Sequence, residues 1–304
     1  MSQPLRIGLA LDMDYFIYSA MSASETEMDW GQDTWSLECD HAKARNIMFG
    51  TIKGIKKEII KQLESKYPKL KAPGAYELVD ICVITGSGNW RLNVLDSYKG
   101  NRAAKRKPVG YPDFCLKMME HYPIGYRVDN REGDDTLGIL MSNPQAAGFD
   151  RIIGVSCDKD FNTIPGDFFW LTPMKLVRND VYAADKWHMR QTMMGDTTDG
   201  YGGIPGVGEA FEGDLMAWLD EPKMYETYQH ELLRGKRKGE FETRVASREP
   251  MDGETLWDCM VSLANCNGMS EEDLLVQARV ARILRYGEWN EETGEPVLWT
   301  PPQG

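Results

Sequence analysis

Nine carboxylates stand in four short groups: Asp12 and Asp14; Glu132, Asp134 and Asp135; Asp158 and Asp160; Asp196 and Asp199. The first and third groups close short apolar runs, residues 6–11 and 151–156, that read as buried strands. In an open parallel sheet the C-terminal strand ends share one edge, and ligands bind there. Those two groups are therefore expected to be neighbours. Like charges packed this way raise one another's pKa, or push the strands apart, unless a counter-charge intervenes. Oxygen donors without His or Cys suit a hard divalent cation, Mg²⁺ or Mn²⁺, over Zn²⁺. Taken singly, each group reads as well as a turn or a helix N-cap. Four together point to a metal site.

Two further features offer to hold phosphate beside such metals. Residues 98–107 carry five cations, Lys99, Arg102, Lys105, Arg106 and Lys107, in an otherwise acidic chain. Their spacing predicts a helix with Lys99, Arg102 and Arg106 on one face, a stripe able to grip phosphates locally. Residues 195–208 end in Gly203-Ile204-Pro205-Gly206-Val207-Gly208, a helix, tight turn, helix pattern. The helix that follows offers free N–H groups to a phosphate, a contact that positions a duplex without reading its bases.

The elements that must position these groups follow from periodicity. Apolar residues at Met48, Ile52, Ile55, Ile59 and Leu63 predict an amphipathic helix over 39–66. Residues 78–85 read as a second buried strand stopped by Gly86-Ser87-Gly88, residues 111–122 as a helix, and Asp134 opens another with acids in its first turn. A further strand is expected at 168–171. Strands alternating with helices make a mostly parallel sheet with right-handed crossovers. Beyond Ala184 the pattern is helical, interrupted by the glycine-rich turn at 200–208, and residues 234–250 read as a polar, basic loop or exposed hairpin. The expected organisation is an α/β core over 1–183 and a helical region over 184–304.

Composition sets the bounds. The 304 residues include 47 acids against 35 Lys and Arg, a formal charge of −12, which taken alone argues against a polyanionic partner. Setting the nine grouped carboxylates aside leaves 38 acids against 35 bases, a balance of only −3. Six scattered cysteines without metal-ligand spacing read as reduced thiols. The four histidines lie far apart, with no nucleophile motif beside them. No apolar run approaches the roughly 18 residues of a membrane span, and the N-terminal apolar stretch is too short for a signal-peptide core. A cytoplasmic protein with no membrane partner is expected.

Together these residues resemble the flap endonuclease and 5′ nuclease superfamily, and within it the 5′→3′ exonucleases of short-tailed lytic double-stranded DNA phages. The resemblance covers nearly the whole chain. It is carried by Asn89-Trp90-Arg91, Tyr98-Lys99-Gly100-Asn101-Arg102, Ser156-Cys157-Asp158-Lys159-Asp160-Phe161, Gly195-Asp196 with Asp199-Gly200-Tyr201, and Glu254-Thr255-Leu256-Trp257-Asp258-Cys259. It implies a Rossmann-like (PIN-like), mostly parallel α/β sheet flanked by helices, with a basic arch at about 98–130, followed by a helical DNA-binding region of helix-hairpin-helix type. It also implies two Mg²⁺ per site, replaceable by Mn²⁺, which activate water and clamp the scissile phosphate. Asp12 matches the first metal's ligand at the end of strand one. Glu132, Asp134 and Asp135 match the central acidic motif of the metal site, with Asp134 as ligand to the first metal and Glu132 bound to it directly or through water. Asp158 and Asp160 match the shared pair, and Asp196 and Asp199 the pair serving the second. Tyr18 matches an aromatic that stacks on a base, and Lys99 and Arg102 match cations that steer the phosphate. The turn containing Ile204, Gly206 and Gly208 matches an element whose carbonyls hold K⁺ against duplex phosphate.

The substrates implied are 5′ ends, nicks and gaps of duplex DNA, with flaps and RNA–DNA hybrids as further candidates. The enzyme would act as a monomer in the host cytoplasm, beside phage replication proteins. Two departures stand out. Family members carry an Asp after the second strand where this chain has Gly86, and Asp14 is the expected compensating ligand. Glu209 stands where related turns carry Lys. Two alternatives remain open: a haloacid-dehalogenase-like phosphatase with Asp12 as nucleophile, and a non-catalytic DNA-binding module.

Overall fold

Residues 5–12 carry a nearly continuous apolar run, so the strand they form has to be covered on both faces. In the computed structural model, which describes residues 3–102 and 106–302, this run is β1 (Leu5–Asp12). Residues 103–105 of the basic segment lie outside the described residues. By contact the chain divides into two compact units. The first comprises Met1–Trp90, Ala104–Ala184 and Ile283–Val297, the second Arg91–Ala103, Asp185–Arg282 and Leu298–Gly304.

The first unit continues with α1 (Met13–Ser22), an antiparallel hairpin β2 (Glu25–Asp29) and β3 (Trp35–Cys39), and α2 (His41–Lys66). Then come β4 (Tyr76–Val83), α3 (Tyr111–Met119), β5 (Ile124–Tyr126), α4 (Gly133–Ser142), β6 (Arg151–Ser156), β7 (Gly166–Trp170) and β8 (Lys175–Asn179). Six strands form one sheet in the order β5-β4-β1-β6-β7-β8. Every neighbouring pair is parallel except β7 and β8. The α/β class expected from the alternation of strands and helices is the one observed.

Side-chain alternation divides the core. Ile7, Leu9 and Leu11 pack with α1, α2 and α3, and Met48, Ile52, Ile55, Ile59 and Leu63 of α2 are all buried there. Ala10 enters a second cluster with Val79, Ile81 and Val83 of β4, and with Leu137, Leu140 and Met141 of α4. α2 starts at His41 because Asp40 caps it, accepting from the Lys43 N–H at 2.9 Å, while Cys39 still pairs with Glu25 in the hairpin.

The parallel register aligns the strand ends that carry acids. Asp12 pairs in register with Val83, and Leu11 with Val155, so β1, β4 and β6 finish together. The opposite end is locked by Asp167, 3 % exposed, which accepts from Arg151 Nε at 2.8 Å and from its terminal nitrogen at 2.7 Å. The Arg151 guanidinium also lies 4.5 Å from the Tyr67 ring centroid.

In the second unit, α5 (Val181–Met194), whose first turn belongs to the first unit, leads through the glycine-rich turn to α6 (Leu215–Asp220). An antiparallel hairpin follows, β9 (Met224–Glu231) and β10 (Phe241–Arg248), then α7 (Leu256–Cys266) and α8 (Glu271–Ala281). Capping boxes, Thr255 with Asp258 and Ser270 with Asp273, start the last two helices. Met193, Ile204, Trp218, Trp257, Met260 and Leu263 fill this unit's core. The helical reading beyond Ala184 therefore needs correcting. The hairpin begins at Met224, and its strands hold so few buried residues that no helical or strand stripe stands out.

Residues Ile283–Val297 return to the first unit and include the short pair β11 (Trp289–Asn290) and β12 (Glu295–Pro296). Asp167→Ala is expected to destabilise the protein by about 1.5–3 kcal/mol, since the half-buried Arg151 loses its two-point carboxylate contact and keeps the Tyr67 hydroxyl. Denaturant unfolding measures this.

Candidate active site

The shared strand edge of the first unit gathers carboxylates from three of the four predicted groups. Asp12, at the end of β1, accepts from the Ser156 hydroxyl at 2.8 Å and from the Tyr15 N–H at 3.4 Å. The same Ser156 hydroxyl accepts from the Asp158 N–H at 3.1 Å, so one residue links the two acid-bearing strand ends. Asp158 accepts in turn from the Asp160 N–H at 2.8 Å. Burial, and then the neighbouring charge of Asp14, push the Asp12 carboxyl up to about 7; Asp158 adds to the rise. Next to this pair the Cys157 thiol is pushed up to about 11 by burial, Asp12, Asp158 and Asp134. Cys157 thus senses acids from the first, second and third groups at once.

Asp14 is held from two directions. It accepts from the Thr85 N–H at 2.8 Å and from the Tyr111 hydroxyl at 2.9 Å. Burial and Asp14's charge both raise the Tyr111 phenol above its ordinary value, so it stays a donor. The Thr85 hydroxyl accepts from the Gly133 N–H at 2.9 Å, which ties the end of β4 to the start of α4. Glu132 occupies the N-cap position of α4, with Asp134 and Asp135 in its first turn. Asp135 is fully buried: its two oxygens accept from Trp90 Nε1 and from the Leu284 N–H, each at 3.0 Å.

At Gly86 a side chain has no room. A Cβ there would lie 2.0 Å from the Val128 carbonyl oxygen. The loop is pinned against residues 128–130, with Ser87 N–H and hydroxyl donating to Asp129 at 2.9 and 2.7 Å. Tyr18, on α1, is 47 % exposed and leaves much of its ring open to a stacking partner.

The second unit carries the remaining predicted residues. Lys99 has a left-handed backbone (φ 53°), and its N–H donates to the Asp199 carbonyl at 2.8 Å. Only a short 3₁₀ turn, Gly100–Arg102, follows, and Arg106 is not helical. The predicted helix face of Lys99, Arg102 and Arg106 is therefore a correction: a turn produces the spacing. Arg106, which belongs to the first unit, instead makes a two-point contact with Glu25 of that unit, at 2.9 and 2.7 Å. The Lys99 amine lies 3.6 Å from Asp199, which also accepts from the Tyr98 hydroxyl at 3.1 Å. Asn101 donates to the Thr197 and Thr198 carbonyls at 3.0 and 3.2 Å. The start of the basic segment and the Asp196–Asp199 turn, read separately in the sequence, are one structural piece.

That turn is closed by Asp196, which accepts from the Thr198 N–H at 2.8 Å and pairs its backbone with Tyr201. Gly195 and Gly203 lie so close that a Cβ on Gly203 would stand 2.3 Å from the Gly195 nitrogen. Ile204 is buried and its N–H donates to the Met193 carbonyl at 2.8 Å; Gly206 has φ 81°. Beyond Gly208 the chain forms only a short 3₁₀ turn, Phe211–Gly213, before α6, so the second helix of the predicted pattern starts later than the glycines suggest. Glu209 pairs with Arg190.

Among the described residues, no three His, Cys, Asp or Glu side chains converge closely enough to form a ready metal cage. The donors at the strand edge still fit a hard divalent cation. They are all oxygens, and burial first, then the charges of Asp14 and Asp158, raise Asp12. Sequence reasoning missed Ser156, Thr85 and Tyr111, which hold these carboxylates in place. Ser156 stood within a quoted motif, but nothing in the spacing marked the other two.

No protein-family model matches the chain. The exodeoxyribonuclease of Enterobacteria phage T3 is 40% identical over 298 residues, 96% of this chain and 92% of that protein. The exonuclease of Escherichia phage T7 is also 40% identical, over 96% of this chain and 93% of that protein. Among solved structures, the T5 D15 protein co-crystallized with metal ions has 16% identity and a TM-score of 0.48, covering 91% of this chain and 89% of that one. With two relatives so alike along nearly their whole lengths, the chain belongs to the phage exonuclease family of T3 and T7, and it is a nuclease.

Proposed function

We propose that this nuclease removes nucleotides from the 5′ ends of duplex DNA, at ends, nicks and gaps, with divalent cations held by the carboxylates of the strand edge. The observation that carries the reading is the joining of Asp12 to Asp158 through Ser156, with Asp14 and Asp134 close enough to act electrostatically on the same spot. The relatives' names, exodeoxyribonuclease and exonuclease, support DNA as substrate and attack from an end. Two Mg²⁺ per site, with Mn²⁺ as a substitute, is the stoichiometry that the resemblance to the 5′ nucleases implies. When bound, such cations supply an activated water and neutralise charge on the phosphate and the departing oxygen.

The chain's own residues do the positioning. Ser156 fixes the Asp12 carboxylate, and Tyr111 and the Thr85 N–H fix Asp14, so the acids present oxygens in set directions. Asp14 takes the place of the ligand that Gly86 cannot supply. Tyr18 offers an exposed ring for a base at the 5′ end. In this reading Lys99 and Arg102 add positive charge for the phosphate, and K⁺ at the carbonyls of Ile204, Gly206 and Gly208 steadies the duplex. RNA–DNA hybrids and flaps are further substrates, and the enzyme works as a monomer beside phage replication proteins in the host cytoplasm. Family membership favours this reading over a phosphatase or a non-catalytic binding module.

Three outcomes test it. A duplex labelled at its 5′ end should lose the label early, as small products, in Mg²⁺ and not in EDTA. Earlier loss of a 3′ label, or cleavage in EDTA, would contradict the reading. Asp158→Asn should bind duplex DNA as the parent does while cleavage drops by about three orders of magnitude, roughly 4 kcal/mol of transition-state stabilisation; a gel-shift and a cleavage time course measure the two. Tyr111→Phe should raise the Mg²⁺ concentration for half-maximal cleavage by about tenfold, because Asp14 loses a fixed donor.

A further inference from the structure

In a chain with a net charge of −12, a dense cluster of cations free of acids needs a reason. β9 and β10 pair over eight positions, from Met224 with Arg248 to Glu231 with Phe241. The root of this hairpin is anchored. The Tyr225 N–H donates to the Ser262 hydroxyl at 2.9 Å, the Tyr225 hydroxyl accepts from Trp218 at 3.1 Å, and Arg248 makes a two-point contact with Glu254 at 2.7 and 2.6 Å. Further out, Thr227, Gln229, Glu231, Phe241, Thr243 and Val245, which the register places on one face, are all exposed, and Glu231 is the one acid among them. A two-stranded ribbon with an open face gains little stability from burial. Burial therefore does not account for this one.

The tip has a defined shape and an excess of positive charge. The Leu232 N–H donates to the Glu240 carbonyl at 2.8 Å and the Gly239 N–H to the Leu232 carbonyl at 2.9 Å, closing a loop that carries Arg234, Lys236, Arg237 and Lys238. All four are exposed. Arg237 pairs with Glu240 at 2.6 Å, whereas Arg234, Lys236 and Lys238 make no ion pair among the described residues. Phe241 is 61 % exposed, just beyond these cations.

We propose that the β9–β10 tip is a second phosphate-binding site, through which the enzyme grips the backbone of duplex DNA by Arg234, Lys236 and Lys238. This rests on the DNA-degrading reading above. Three exposed cations at alternate positions meet a polyanion with one charge per roughly 1.7 Å of duplex axis. The ribbon face behind them is rich in hydroxyl and amide groups, the donors that contact phosphate and sugar without reading sequence. A two-stranded ribbon is also narrow enough for a major groove about 12 Å wide. Neither an acidic protein nor an anionic membrane calls for the hydroxyl and amide groups of that face.

The test compares the full-length protein with R234A/K236A/K238A, measuring binding to a blunt 30-base-pair duplex in EDTA at a series of KCl concentrations. The slope of log affinity against log salt should fall by about 2 to 3 in the variant, at about 0.9 per phosphate contact. Affinity at low salt should fall about tenfold or more. The charge-preserving R234K/K236R/K238R variant should keep the parental slope, which separates charge from folding. An unchanged slope in the alanine variant overturns the proposal and leaves the nuclease reading intact. So does parental DNA binding combined with loss of binding to phosphatidylserine vesicles or polyglutamate. A parent chain that fails to bind the duplex at all overturns both.

Discussion

Negative charge crowded at one end of a parallel sheet is the constraint around which the first unit is built. β1, β4 and β6 end in register, and the chain places acids at or just beyond the ends of two of them. The repulsion is contained by donors brought from elsewhere: the Ser156 hydroxyl on Asp12, and the Thr85 N–H and Tyr111 hydroxyl on Asp14. Each hydrogen bond to an ionised carboxylate contributes on the order of 1.5–3 kcal/mol. Burial first, and then the charges of Asp14 and Asp158, leave the Asp12 carboxyl raised to about 7 despite these donors. In the proposed function, a divalent cation is the counter-charge for this crowding.

The acidic start of α4 shows how one motif divides its labour. Asp134 acts on the strand edge through its charge at Cys157, whereas Asp135, the next residue, is fully buried against Trp90 and the Leu284 backbone. Trp90 lies between β4 and the basic segment, and Leu284 near the chain's end. Asp135 therefore ties three distant stretches of the first unit together, and its neighbour depends on that tie for its position. A carboxylate between two donors in a dry setting is costly to disturb, because removing it leaves both donors unsatisfied.

What the sequence made legible was governed by burial. Residues 6–11 and 151–156 were readable as strands because parallel strands covered on both faces are continuous apolar runs, and α2 was readable from its stripe of five buried residues. β5 has only three residues, β8 is a sheet-edge strand carrying Lys175, Arg178 and Asn179, and β2 and β3 contain no fully buried residue, so none left a pattern. The hairpin β9–β10 was half seen, as a polar stretch, for the same reason. At the site, residue types were legible and their fates were not. Spacing cannot say that Lys99 sits in a left-handed turn, or that Asp14 meets donors 71 and 97 residues away in the chain. Nor could it show that Gly86 excludes any side chain by contact with the backbone of Val128.

The central claim is that the Asp12–Asp158 edge holds a divalent cation, and anomalous scattering from crystals grown with Mn²⁺ tests it most directly. The account predicts an anomalous peak coordinated by the carboxylates of Asp12 and Asp158. A well-ordered site with Mn²⁺ bound elsewhere on the molecule and none at those carboxylates would contradict it.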